Sequence, residues 1–139
     1  MNILVIDAQG GGIGRQLVAK LIERIPEADI VAAGTNSMAT NAMIKAGAKK
    51  AATGENAIRY CASQAEIITG PIGILVANAM LGEISPAIAE SVGSSTAPKV
   101  LIPTAHCNTI IAGTKALPVK DSIEDAVERI VRIYGGDDN

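Results

Sequence analysis

The chain has 139 residues, a net charge of −2 and 48% apolar residues, and Tyr60 and Tyr134 are its only aromatic side chains. The lack of basic runs and of stacking aromatics argues against nucleic-acid binding, and no apolar run approaches the roughly 20 residues that span a bilayer. Two cysteines are too few for a disulfide scaffold and no signal-peptide pattern is present, so we expect one cytoplasmic domain over residues 1–139. The mean hydropathy of +0.31 is high for this size and predicts a homo-oligomer.

Strand and helix patterns alternate along the first half of the chain. Apolar residues at helical spacing predict a first helix that Pro26 ends, and a second helix with polar capping residues stops at Gly47. In chain order, the predicted elements are strand Ile3–Asp7, helix 12–25, strand Asp29–Gly34, helix 37–47, strand Lys50–Ala52, helix 53–64 and strand Glu66–Thr69.

The second half continues the alternation. Residues 72–81 read either as a helix or as a strand running into a loop, and we favour the helix because Pro71 suits its first turn and Gly82 its end. Asp121 and Glu124 form a capping-box pattern. The predicted elements are helix 72–81, helix 85–93, strands Lys99–Ile102 and Thr109–Ala112, and helix 121–134. This alternation of strands and helices predicts an α/β, Rossmann-like, doubly wound fold. We expect a mostly parallel sheet of five or six strands with helices on both faces.

A glycine-rich loop follows the first strand. It fits the pattern G-x-x-x-G-x-G with Ala8 at the first position, and in this it resembles the loop of short-chain dehydrogenases. The general dinucleotide fingerprint G-x-G-x-x-G does not fit, because Arg15 stands where its third glycine would be. A P-loop is excluded because no Gly-Lys-Ser/Thr follows. A tight turn without ligand is the alternative, but so many glycines favour a phosphate cradle at the start of a helix. The predicted cradle residues are Gly10, Gly11, Gly12, Ile13 and Gly14.

The end of the second strand is the expected ribose site, and it carries no Asp or Glu. This weakens NAD and favours NADP, because Thr35, Asn36 and Ser37 could receive a 2′-phosphate with hydroxyl and N–H groups. Lys45 lies two helical turns away, and ordinary capping of the second helix is the alternative explanation. NAD and FMN stay as further candidates, although the lack of aromatics argues against a sandwiched flavin ring.

Catalytic residues are sparse. The Tyr–Lys pair of short-chain reductases is absent, because Tyr60 and Tyr134 are followed four residues later by Gln64 and Asp138. One histidine and two cysteines do not make a zinc site, so no metal is predicted. The candidate catalytic residues are Glu83, for which loop bracing is the alternative, and His106, for which an ordinary loop histidine is the alternative. The additional candidate binding residues are Gly70, Pro71 and Asn78.

Six stretches together resemble a family of small bacterial Rossmann-like proteins of unknown function. They are residues 7–14, 34–36, 52–57, 70–73, 78–83 and 107–108. The resemblance implies the fold and a bacterial origin but no activity. The sequence therefore predicts a nucleotide-binding protein, with NADP favoured and with a sensing or regulatory role. The alternatives are a small NADP-dependent oxidoreductase whose active site is completed at a subunit interface, an FMN binder, and a structural or interaction domain.

Overall fold

The computed structural model describes residues 2–104, 108–115 and 117–136, and in these ranges strands and helices alternate. The strands are β1 (Asn2–Asp7), β2 (Asp29–Gly34), β3 (Lys50–Thr53), β4 (Ile67–Pro71) and β5 (Lys99–Ile102). The helices are α1 (Gly12–Arg24), α2 (Ser37–Lys45), α3 (Glu55–Gln64), α4 (Pro86–Ser94) and α5 (Val119–Tyr134), and a single 3-10 turn covers Ile72–Leu75.

The five strands form one parallel sheet in the order β3-β2-β1-β4-β5. The chain winds outward from β1 to β3 and then returns to place β4 on the other side of β1. The strand order therefore reverses between β1 and β4, and in such sheets ligands bind at the carboxyl ends of the strands beside this point. The predicted α/β doubly wound fold is confirmed.

Apolar layers cover both faces of the sheet. Residues 3–6 of β1 have no exposed surface, as expected for a central strand buried on both sides. Leu17 and Leu21 of α1 pack with Val127 of α5 on one face, whereas Ile58 of α3 and Ile88 of α4 pack on the other. Aliphatic side chains thus fill a core that the sequence equips with almost no aromatics.

The predicted helix over residues 72–81 is wrong. The chain makes only the short 3-10 turn and then a series of turns up to Ser85. Asn78, Met80 and Leu81 have φ of 66°, 57° and 58°. These left-handed conformations cannot continue a right-handed helix, so Pro71 and Gly82 do not bracket one.

Two further predictions are corrected. Residues 109–112 form no strand, because residues 109–111 have no regular secondary structure and a turn covers residues 112–113. The last helix begins at Val119, two residues before the predicted cap, and Pro118 precedes it without a side-chain capping bond. The carbonyl of Pro118 accepts the N–H of Asp121 at 3.0 Å, so Asp121 lies inside the first turn. No helix in the described ranges is long and apolar enough to cross a membrane.

Candidate functional site

Three connections meet at the carboxyl edge of the sheet. The glycine loop (residues 8–14) follows β1, the turn at residues 35–36 follows β2, and the β4–α4 segment (residues 76–85) arrives from the other side of the reversal point. The N–H of Thr35 donates to the carbonyl of Asp7 at 3.1 Å, which ties the first two connections together. Side chains from all three therefore face one another where a doubly wound sheet binds its ligand.

Two glycines of the loop are required by close packing. Gly11 has φ of 73°, and a Cβ on it would stand 2.8 Å from the Cα of Ala39 in α2. A Cβ on Gly14 would stand 2.7 Å from the Sδ of Met43 and 2.9 Å from the Cβ of Asp7. Ile13 packs its half-buried side chain against the core. These positions let α1 approach β1 and α2 closely.

Gly10 and Gly12 differ from their neighbours because a Cβ on either would meet no atom within 4 Å. Among the described residues, no hydrogen bond uses the N–H of Gly10 or that of Gly12. Gly12 is also the first residue of α1, where the helix dipole favours a negative charge. The loop therefore presents two accessible, unpaired N–H donors at a helix N-terminus.

Asp7, which the sequence analysis did not single out, lies behind the loop and is only 4% exposed. Its Oδ2 accepts the N–H of Gly14 at 2.6 Å, and its Oδ1 accepts the N–H of Ala8 at 2.8 Å. Burial raises the pKa of Asp7, the hydrogen bonds from Gly14 and Ala8 oppose this, and the charge of Glu83 raises the pKa further. The protein's own carboxylate thus occupies the N–H of Gly14 that the predicted cradle would have offered to a ligand.

Glu83 bridges the three connections with one carboxylate oxygen. Its Oε1 accepts the N–H of Gln9 at 2.9 Å, the hydroxyl of Thr35 at 2.6 Å and the amide of Asn36 at 2.9 Å. Partial burial raises the pKa of Glu83, but the three hydrogen bonds outweigh this and lower it below its ordinary value. The acidic residue missing from the end of β2 is thus supplied from the β4–α4 segment.

The turn after β2 also begins α2. Asn36 caps this helix by accepting the N–H of Ala39 at 2.9 Å, and its amide additionally donates to the carbonyl of Gln9 at 3.1 Å. Ser37 is the exposed first residue of the helix. The structure therefore brings the predicted residues Thr35 and Asn36 together with Glu83, and the capping expected for Asn36 is also present.

A cleft of about 530 Å³ lies between the glycine loop and α2, and we call it the Gly10 cleft. Among the described residues, neither Arg15 nor Lys45, which both line it, takes part in an ion pair. The sequence held a signal for this cleft, because Ser37, Asn41 and Lys45 recur every fourth residue along one face of α2. The lining residues are Gly10, Arg15, Ser37, Met38, Asn41, Ala42 and Lys45.

The other predicted binding residues lie apart from this cleft. Gly70 and Pro71 are buried at the end of β4, and a Cβ on Gly70 would collide with the carbonyl oxygen of Ile6. Asn78 is exposed, and its backbone bonds stay within the β4–α4 segment, with its N–H donating to the carbonyl of Ile84 at 2.7 Å. His106 lies outside the described residues. Within the residues that the structure describes, no cluster of three or more His, Cys, Asp or Glu side chains could hold a metal ion.

Residues 2–135 match the family described as "Domain of unknown function (DUF3842)". The chain belongs to this family. No curated protein matches. Among solved structures, the chain is similar to a dodecameric FMN-dependent UbiX-like decarboxylase from Escherichia coli O157:H7, with 16% identity, a TM-score of 0.53, and coverage of 97% of this chain and 95% of that one. At this identity the likeness concerns the fold, and this member of the DUF3842 family shares that Rossmann-like architecture.

Proposed function

We propose that the chain binds a phosphate-bearing nucleotide at the carboxyl edge of its sheet, with a phosphate group in the Gly10 cleft. The observation that carries the proposal is the pair of unpaired N–H donors at Gly10 and Gly12, beside the unpaired cations of Arg15 and Lys45. Backbone N–H groups at a helix N-terminus bind phosphate, and a guanidinium can bind it in bidentate fashion. Gly14 is left out of the proposed site because Asp7 already uses its N–H.

The ribose of the nucleotide would face Glu83. Within the described part of the chain, the Oε2 of Glu83 accepts no hydrogen bond, whereas Oε1 is held by three donors. A carboxylate at the end of the second strand commonly accepts ribose hydroxyls in this fold. Glu83 is thus pre-oriented for this role.

Glu83 removes the reason for preferring NADP, because a carboxylate beside the ribose accepts the 2′-hydroxyl of NAD and repels the 2′-phosphate of NADP. NAD is therefore our favoured ligand, with its pyrophosphate at the N–H groups and cations of the Gly10 cleft. FMN is the second candidate, since the similar solved structure is described as FMN-dependent and the cleft offers room for a single phosphate. We assign a sensing or regulatory role rather than catalysis. The carboxylate of Glu83 is held by three donors that lower its pKa, which makes it a weak base, and Asp7 is buried.

We also propose that the chain forms homo-oligomers through this edge. Leu81 and Ile110 are 98% and 95% exposed, and both follow carboxyl ends of strands, as does Met38 at 68%. The similar solved structure is described as dodecameric. Sedimentation velocity should therefore detect a species larger than a monomer, and Leu81→Ser should weaken it. A monomer at every concentration would contradict the proposal.

A thermal-shift panel of NADP, NAD, FMN and inorganic phosphate tests the nucleotide proposal. A ligand at 100 times its Kd adds about 2.7 kcal/mol to the free energy of unfolding. We expect NAD to raise Tm more than NADP, because the Glu83 carboxylate accepts a free 2′-hydroxyl and repels a 2′-phosphate. A larger effect of FMN would select the second candidate. If none of the nucleotides raises Tm, the proposal fails.

Variants of the cleft make the test specific. Gly10→Val places a branched side chain over the N–H donors without a clash in the fold, and Arg15→Ala removes one cation. Each should weaken nucleotide binding about tenfold to hundredfold, as expected for losing a charge-assisted hydrogen bond. Arg59→Ala is the matched control, because Arg59 is exposed on α3 on the other face of the sheet. Equal affinities in all three variants would rule out the Gly10 cleft.

A further inference from the structure

Helix α1 lies between α2 and α5, and the three helices enclose a groove of about 420 Å³, which we call the α1 groove. Small-molecule sites in proteins commonly have volumes of about 300–1,000 Å³. The groove joins the Gly10 cleft, because Arg15, Ala42 and Lys45 line both. Its remaining part extends away from the glycine loop and is not used by the proposed nucleotide phosphate.

The uncharged lining of the groove is mostly aliphatic. Ala19 of α1 is exposed, Ala42 of α2 and Ala46, the C-terminal capping residue of that helix, are half-buried, and Ile123 of α5 lies at the base of the groove with 1% of its surface exposed. None of the lining residues is aromatic, so the groove offers no stacking surface for a nucleotide base or a flavin ring. The accessible methyl groups of Ala19, Ala42 and Ala46 suit a flexible aliphatic chain instead.

The charges of the groove are unbalanced. Among the described residues, Arg15, Lys45 and Lys120 take part in no ion pair, and Glu23 is the one acidic lining residue. By contrast, two ion pairs connect α1 and α5 at the border of the groove. They are Lys20–Glu124 at 3.8 Å and Arg24–Glu128 at 2.9 Å. Unpaired cations beside an apolar lining complement a ligand that has both an anionic group and an apolar part.

We propose that the α1 groove binds an amphiphilic anion with an aliphatic chain, such as an alkyl phosphate. The alkyl chain of the ligand lies against Ala19 and Ala46, above the buried Ile123, and the anionic head lies between Arg15 and Lys45, where the groove meets the Gly10 cleft. The groove does not depend on the nucleotide proposal, because its aliphatic part is separate from the glycine loop. If both are right, the two ligands compete for the same two cations.

Calorimetric titration with inorganic phosphate and with butyl, hexyl and octyl phosphate, all below their micelle concentrations, tests the proposal. Each buried methylene should raise the affinity about twofold to fourfold, the upper value applying to full burial. An affinity that does not depend on chain length would overturn the proposal. NAD should weaken octyl phosphate binding if the nucleotide proposal also holds, whereas an affinity that rises with alkyl length but is not reduced by NAD would support the groove alone.

Two pairs of variants test where the alkyl chain of the ligand binds. Ala19→Phe fills the groove from an exposed position and should remove the chain-length dependence while leaving inorganic phosphate binding unchanged. Its control is Ser63→Phe, which adds the same ring to exposed α3. Lys120→Glu, which lies outside the Gly10 cleft, should weaken octyl phosphate binding more than Lys49→Glu, its exposed control. If Ala19→Phe and Lys120→Glu both bind octyl phosphate like their controls, the groove is not the site.

Discussion

The glycine loop and the β4–α4 segment both lead from a strand to a helix at the carboxyl edge, but the second places more non-glycine residues in left-handed backbone conformations. In the glycine loop, the left-handed position that packs against α2 is Gly11, a residue without a Cβ, and Gln9, with φ of 50°, is the one non-glycine residue of the loop with positive φ. In the β4–α4 segment, Asn78, Met80 and Leu81 all adopt positive φ with a side chain present. Such a conformation costs a non-glycine residue about 1–2 kcal/mol.

The comparison shows how the two connections depend on each other. The glycine loop is held by its own strand and helix, through Asp7 and Gly14. The β4–α4 segment is held at its far end by Glu83, whose carboxylate reaches the glycine loop and the turn after β2. Strained backbone that persists beside a candidate site is a recurrent feature of functional regions. We therefore expect the segment to be the weaker of the two and the one that adapts to a ligand.

The largest expected effect concerns close packing at the glycine loop. Gly14→Ala should lower the free energy of unfolding by about 2–3 kcal/mol, because the new Cβ meets Met43 and Asp7. Gly12→Ala is the matched control, since it lies in the same first turn of α1 with open space around it and should be neutral or slightly stabilising. Urea denaturation measures both. Similar losses in the two variants would show that packing does not distinguish these glycines.

The anchor of the β4–α4 segment should be the next most sensitive. Glu83→Ala leaves the N–H of Gln9 and the donors of Thr35 and Asn36 without their acceptor, and it should cost about 2 kcal/mol. Glu90→Ala, at an exposed position of α4, should change stability by less than about 0.5 kcal/mol. Hydrogen exchange should also accelerate in residues 76–85 of Glu83→Ala. Unchanged exchange there would argue against an anchoring role.

Local signals in the sequence were enough to predict most of the sheet. The bounds of β2 and β5 agree with the predicted Asp29–Gly34 and Lys99–Ile102, because apolar runs between turn residues are a local pattern. The start of α4 also agrees, since Ser85 accepts the N–H of Ile88 as a capping residue should. The sequence therefore predicted the strands and helix ends that depend on a few neighbouring residues.

The site depended on contacts that such a window does not contain. Glu83 is 74 residues from Gln9 and 48 from Thr35, so its role as the acid at the end of β2 could not be derived from the residues that follow β2. The packing role of Gly14 could not be predicted from its neighbours in the sequence, because its partner Met43 belongs to another helix. Its place in the glycine run therefore suggested a phosphate-binding residue. The predicted helix at 72–81 failed for a related reason, because Pro71 and Gly82 are as compatible with a series of turns as with a helix.

Removing strain from the segment should have a smaller effect of opposite sign. Leu81 has φ of 58° and is 98% exposed, so Leu81→Gly should raise the free energy of unfolding by about 0.5–1 kcal/mol. Leu81→Ala shortens the side chain but retains the unfavourable conformation, and it should not stabilise. Thermal unfolding of dilute protein, with the oligomeric state matched, measures the difference. Equal Tm values for the two variants would mean that the segment stores no strain at this position.

The smallest expected effect concerns the pH dependence of stability, to which Glu83 and Asp7 contribute with opposite signs. The pKa of Glu83 is lowered from 4.5, so its contribution to stability is complete above that value and is lost as the pH falls through the lowered pKa. The pKa of Asp7 is raised from 3.8, so acidification toward 3.8 favours the folded state at that residue and partly offsets the loss. Glu83→Gln removes the first contribution, together with the charge that raises the pKa of Asp7. Between about pH 6 and about pH 3 it should therefore lose less stability than the unaltered protein, whereas the exposed control Glu90→Gln should follow the unaltered protein. If the urea midpoints of all three proteins change with pH in the same way, the three hydrogen bonds to Glu83 do not lower its pKa.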